Sequence, residues 1–462
     1  MSSPPGSAAV SAPPSRIDGV TELLACRTAA DRVGEVLHRQ ATAAIVEAVR
    51  TALPADIGPV RCSITRSKLK PGRRLTVSAE ISVPGGTSAM GSTPRPVTAI
   101  WGEPTTPFVG WADDPAVPVE VRHPFSALRV TPGAPSDGTP FLLIAPLDPA
   151  FPALAAVHDR DHMARLLRSH GIEVGPGEPS VTTLRYRPGQ RHVLRLDLAS
   201  GRRVFVKCYR DGTGERAAEA WRALADALSA WGGPAVPVRP LAYVPTERLM
   251  LWEGVEGATL GDVLDTSLEP VRAAGAALRA IHDRPVDAAH PAPVSDPARE
   301  GTASLRSAEH VAALLPAAGE RMAALVAEAV RRLGETPAES GHLLHGDYKC
   351  DNLVVDGDRL RLLDLDRVTV GDPALDLGKI SADLRWWAAS RRTDAQPLLA
   401  ALLDGYGACP DRRLRRAALY DVLFTVRSIG RRIALHEPGW AARVERMLED
   451  TNRDSNLRGM LR

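Results

Sequence analysis

The chain has 462 residues, 44% of them hydrophobic and 24% charged, with a net charge of +2. That length exceeds what one compact core accommodates and predicts two or three domains. The near-balance of charge excludes a general nucleic-acid or membrane-surface binder. Basic residues are overwhelmingly arginine: only Lys68, Lys70, Lys207, Lys349 and Lys379 break the rule among 57 basic positions. A lysine in this background marks a position where a compact ammonium serves and a guanidinium does not.

Residues 1–18 form a Ser/Pro-rich tail without a basic n-region or apolar core and are expected to be disordered. No apolar run reaches the roughly 18 residues of a membrane span. The five scattered cysteines lack disulfide or zinc spacing. A cytoplasmic protein is expected, with neither a nucleic-acid nor a membrane partner.

Helical spacing runs over 19–52, with Val20, Leu23, Leu24, Val33, Val36, Leu37, Ile45 and Val46 on recurring faces. Strands are predicted at 75–82 and 95–101 around a Gly/Ser/Pro-rich loop, and 102–140 reads as irregular. A helix near 159–170 leads to a second set of strands that repeats the first. Lys68-Leu69-Lys70-Pro71-Gly72-Arg73-Arg74 aligns with Arg185-Tyr186-Arg187-Pro188-Gly189-Gln190-Arg191 at an offset of 117 residues. The second set ends in Val204-Phe205-Val206-Lys207, whereas its counterpart ends in Thr98-Ala99-Ile100-Trp101, with the lysine lost at the Trp101 position. The alternative is two unrelated basic hairpins. Further on, a helix is predicted at 213–230, a strand pair at 238–253, and helices near 268–282, at 303–335 and through 374–450.

The strongest local signal is His345-Gly346-Asp347-Tyr348-Lys349-Cys350-Asp351-Asn352. An apolar strand, a tight Asp356-Gly357-Asp358 turn, and a second strand ending at Asp364 follow it. Asp347, Asn352 and Asp364 can converge at the open ends of these strands. They would present two oxygen ligands to a magnesium ion and one carboxylate to a hydroxyl, as phosphoryl transfer requires.

These motifs, with Gly371-Asp372-Pro373-Ala374-Leu375-Asp376-Leu377, resemble the aminoglycoside phosphotransferase and choline kinase family. The resemblance implies an α+β, bilobal, protein-kinase-like fold: a small antiparallel sheet lobe over 159–256 and a helical catalytic and substrate-binding lobe over 257–462. An extra α+β domain over 19–158 would precede them, a candidate degenerate copy of the small lobe. It further implies ATP and Mg²⁺, Asp347 as catalytic base, Asn352 and Asp364 as metal ligands, and His345 and Asp376 as structural support. Lys207 would hold the nucleotide's phosphates, paired with a helix carboxylate, for which Glu219 is preferred over Glu215.

The phosphate-covering loop departs from the family in having one glycine, so Arg187 and Arg191 either supply charge to the phosphates or form a solvated rim. Trp252 and Glu253 fall in the segment resembling the adenine-reading hinge, where Trp252 is either an adenine neighbour or ordinary core.

Six residues separate Asp364 from Gly371, too few for a protein-kinase activation segment. A small-molecule hydroxyl acceptor is therefore expected: an antibiotic, sugar, amino alcohol or natural-product intermediate, with Asp383, Arg385, Arg427 and Glu437 as candidate contacts. A modified peptide bearing a Ser or Thr hydroxyl, and a non-catalytic scaffold, are the alternatives. A monomer or homodimer is expected.

Overall fold

In the computed structural model, residues 18–51, 53, 59–82, 94–102, 140–284, 286 and 296–453 are described. The tail up to residue 17, most of the Gly/Ser/Pro-rich loop and most of the irregular 102–140 stretch lie outside them.

The fold is α+β, built from two lobes preceded by an extra sheet with helices. Strands β1 (Arg61–Lys70), β2 (Arg74–Ser82), β3 (Arg95–Gly102) and β4 (Phe141–Ile144) form an antiparallel sheet in sequential order. Strict alternation on β2 puts Leu75, Val77, Ala79 and Ile81 on one face, against the helices Asp18–Leu24 and Thr42–Thr51. The expected 19–52 helix is broken at residues 25–29, where Cys26 takes a left-handed conformation (φ 59°).

The small lobe holds β5 (Ser180–Arg187), β6 (Arg191–Asp197) and β7 (Arg203–Cys208), then β8 (Ala235–Pro237), β9 (Pro240–Val244) and β10 (Leu249–Glu253). Its sheet runs β5-β6-β7-β10-β9. The hairpins β1–β2 and β5–β6 share one turn: Arg73 N–H donates to Lys70 O, and Gln190 N–H to Arg187 O, both at 3.0 Å. Pro71 and Pro188 precede Gly72 and Gly189, whose φ of 64° and 68° completes a Pro-Gly type II turn in each.

Strand register corrects one expectation. Val193 pairs with Lys207 and, 117 residues earlier, Thr76 pairs with Ile100. Ile100, not Trp101, therefore occupies the position of Lys207.

The helical lobe contributes β11 (Ala258–Thr259), β12 (His342–Leu344), β13 (Leu353–Asp356), β14 (Arg359–Leu362) and β15 (Thr369–Gly371). The sheet β11-β13-β14-β8 joins the lobes, and β12 pairs with β15. The single helix expected over 303–335 is two, Pro297–Ala312 and Pro316–Glu335. Pro316 has no N–H to continue the first helix and suits the start of the second. Packing is continuous between parts: one core runs from Leu23 and Leu75 to Tyr420 and Leu448, and another joins Ile100 and Leu143 to Leu194 and Val206. Among the described residues no helix is long and apolar enough to cross a membrane.

Candidate active site

The loop after β12 is held by buried groups from distant helices. Asp376, on the helix Ala374–Arg391, accepts from the backbone N–H of His345 (2.7 Å) and of Gly346 (3.0 Å). Asp383, two turns on, accepts from Cys350 N–H at 2.8 Å, and Tyr348 Oη donates to Ala274 O at 2.8 Å. His345 is fully buried, with Nε2 3.1 Å from Leu363 O. Gly346 has φ 74°, and a Cβ there would stand 2.0 Å from Arg367 O, so no other residue fits without moving the backbone.

That scaffold presents Asp347 to two of the five lysines. Lys349 Nζ is 2.6 Å from Oδ2 and Lys379 Nζ 2.7 Å from Oδ1. Asn352 Nδ2 donates to Asp347 O (2.9 Å) and Oδ2 (3.2 Å). Burial works against ionising Asp347, yet Lys379 and Lys349 overcome it and hold the carboxyl well below its ordinary range. Lys379 lies over the Phe424 ring, 4.7 Å from its centroid.

Asp364 closes the site from the end of β14. It adopts φ 60°, ψ 59°, a left-handed conformation that aspartate enters more readily than most non-glycine residues. Lys207 Nζ is 2.7 Å from Asp364 Oδ1, and Arg191 Nη1 is 3.0 Å from Oδ2. Burial raises the Asp364 pKa and the two cations reverse it, for a net lowering. Lys207 also bonds Asp366, which accepts from Tyr209 Oη at 2.8 Å.

The expected Lys207–Glu219 pair is not formed. The helix Thr213–Trp231 buries Gly214, Ala217, Leu224 and Leu228, and Glu219 lies two residues, about 200°, from Ala217, exposed. Glu215 is exposed too, so Asp364 and Asp366 are the carboxylates that Lys207 meets.

Glu253 is engaged by Arg361 and by Arg239 N–H (2.8 Å), so its side chain braces the strand junction. Trp252 packs at the edge of a small apolar cluster of Val238, Val255 and Val354, with Phe205 and Leu363 beside it, between the lobes. Arg187 is half-buried; burial first, then Arg185, Arg66 and Arg191, push its pKa down to about 9.

The four candidate acceptor contacts are all occupied in pairs: Asp383 with Arg432 (2.5 Å), Arg385 with Asp421 (2.7 Å), Arg427 with Glu300, and Glu437 with Arg443 (2.8 Å). Sequence reasoning left out Lys379, Asp366 and the buried Arg416–Asp372 pair (2.5 Å). The rarity of lysine pointed to Lys379; nothing local pointed to Arg416.

Residues 182–419, just over half the chain, match the pattern of the phosphotransferase enzyme family. The chain belongs to that family. The matched region of this phosphotransferase contains Lys207, Asp347, Asn352, Asp364 and Asp376, and it begins after the N-terminal sheet. Solved structures similar to it include a spectinomycin phosphotransferase in complex with ADP and spectinomycin (14% identity, 65% of this chain and 97% of that chain, TM-score 0.47). A choline/ethanolamine kinase family protein from Mesorhizobium loti is also similar (16%, 66% and 98%, TM-score 0.45). So is an aminoglycoside-3'-phosphotransferase of type VIII (24%, 58% and 100%, TM-score 0.38). No curated protein sequence matches the phosphotransferase significantly.

Proposed function

We propose that this phosphotransferase moves the γ-phosphoryl group of ATP, with Mg²⁺, to a hydroxyl of a small molecule. The observation that carries the reading is the convergence of Asp347, Asn352, Asp364 and Lys207: Asn352 bonds Asp347, Leu363 N–H donates to Asn352 O at 2.8 Å and so brings the adjacent Asp364 alongside, and Lys207 rests on Asp364.

The donor set suits magnesium. Asp364 offers a carboxylate, and Asn352 uses its amide nitrogen toward Asp347, leaving its amide oxygen for a cation. Among the described residues no three His, Cys, Asp or Glu side chains are grouped to hold a metal by themselves. A magnesium ion bound through one or two protein oxygens, with phosphates and waters completing its shell, needs no such group. When bound, the metal supplies charge neutralisation for the triphosphate.

The chain's own residues do the rest. Lys207 and Arg191 face the phosphates, and Asp347 orients the acceptor hydroxyl and takes its proton. Held well below the usual carboxylate range, Asp347 is a weak base, so it acts by orientation and late proton acceptance in a loose transition state. The short link from Asp364 to Gly371 supports a small acceptor: antibiotic, sugar, amino alcohol or natural-product intermediate. We further propose that residues 19–158 are a copy of the small lobe that lost its catalytic lysine.

The test is ADP release, with products weighed for an added phosphate, over a panel of these acceptors. Asp347→Asn should lower turnover by about 10²–10⁴-fold while nucleotide still binds. Unchanged turnover in Asp347→Asn would remove the assignment.

A further inference from the structure

One face of the N-terminal sheet carries half-buried cations that have no ion pair among the described residues. Ser67 on β1 locks this strand onto the helical lobe: its Oγ is 3.0 Å from His436 Nδ1 and accepts from His436 N–H at 3.2 Å. Alternation along β1 sends its neighbours Arg66 and Lys68 to the opposite face, the one that also carries Thr76 and Ile100. Both are half-buried, and neither has an ion pair or hydrogen bond among the described residues.

Their electrostatic neighbours include groups of the candidate site. Arg66 lies within electrostatic reach of Arg191, whose guanidinium is on Asp364. Lys68 lies within electrostatic reach of Arg66 and of Arg431, and Arg431, which is exposed, feels the charge of Glu300 and then of Asp347. Burial comes first and these cations second in pushing the Lys68 ammonium down to about 8. By contrast Lys207, Lys349 and Lys379 each rest on a carboxylate. Like charges half-removed from water with no counterion cost free energy, and an anionic ligand relieves that cost.

We propose that Arg66 and Lys68, with Arg431, form an anion-binding subsite beside Asp347, so that the acceptor carries a phosphate or carboxylate group as well as its reactive hydroxyl. This rests on the proposed phosphotransfer and narrows its substrate class, away from polycationic aminoglycosides. It also gives the N-terminal sheet, which lies outside the family's matched region, a role in acceptor selection.

The full chain is saturated with Mg²⁺ and AMP-PNP and titrated calorimetrically with inorganic phosphate and, separately, with citrate. Wild type should bind at least one of them, and which one distinguishes a phosphate from a carboxylate acceptor. Lys68→Ala should weaken that binding about tenfold or more, and Lys68→Arg should restore most of it, while AMP-PNP affinity stays within about twofold in both. Retained AMP-PNP binding also certifies that each variant is folded.

The subsite is overturned if neither anion binds the nucleotide-saturated protein, or if Lys68→Ala weakens AMP-PNP as much as it weakens the anion. Asp364→Ala separates the two readings. If it leaves Mg²⁺-dependent AMP-PNP binding intact, the phosphotransfer assignment fails rather than the anion subsite.

Discussion

Strands β1–β3 and β5–β7 form the same run of three antiparallel strands with the same Pro-Gly turn, and at the register position where the second carries Lys207 the first carries Ile100. Lys207 in the second run reaches Asp364 and Asp366, whereas Ile100 in the first joins the apolar core beneath the small lobe. A sheet is indifferent to which side chain a given position projects; what the side chain meets decides its role. Facing two carboxylates, a nearly buried lysine is charged and useful. Facing Leu143 and Leu194, only an aliphatic residue is tolerated. The first run places its cations at its edge strand instead, on Arg66 and Lys68.

That contrast can be broken most severely at Lys207. Lys207→Ala should lower turnover by about 10²–10³-fold, read by ADP release, because it removes a fixed positive charge from the phosphate site. The reciprocal change, Ile100→Lys, should add no activity. It should destabilise the protein by about 3 kcal/mol or more in urea unfolding, since the new ammonium is buried without a partner.

A milder test compares the shared turns. Gly72→Ala and Gly189→Ala each force alanine into positive φ with open space around it, so both should cost about 1–2 kcal/mol. Gly189→Ala alone should also weaken AMP-PNP, because its turn joins the strands carrying Arg187 and Arg191.

The smallest effect is on pH. Lys68, near 8 when folded and 10.5 ordinarily, faces Arg66 and Lys70 on its own strand, Arg74 on β2, Arg431 on the helix Asp411–Arg432, and His310 on the helix Pro297–Ala312. Between these two pKa values the unfolded chain holds the extra proton. Stability of the unliganded protein should therefore rise modestly with pH across that window, while anion binding falls as the ammonium is lost above pH 8. Melting temperatures from pH 7 to 10 check this, and Lys68→Gln should flatten the rise.

Much of the site was legible because its signals are local. His345 through Asn352 span one loop, and Asp364 follows at the end of an adjacent hairpin, so spacing and strand pattern alone bring these residues near each other. Two of the elements were also readable as a repeat, since a Pro-Gly turn between basic strands survives in the residues themselves. Pro316 shows the opposite: a helix break that the sequence displayed plainly, yet apolar periodicity on both sides obscured it.

Partner choice across the chain was a different matter. Lys207 finds Asp364 and Asp366 at separations of 157 and 159 residues, and Glu219, near it in sequence, turns to solvent. Sequence by itself determined the loop from His345 to Asn352, the hairpin that follows it and the unusual value of each lysine, because these depend on short spacings and composition. Only the tertiary structure decided that Lys379 rests on Asp347, that Arg416 lies buried on Asp372, and that Arg66 and Lys68 are half-buried without an ion pair among the described residues. Those outcomes depend on how helices and sheets pack, and periodicity specifies which face of an element is buried without naming what covers it.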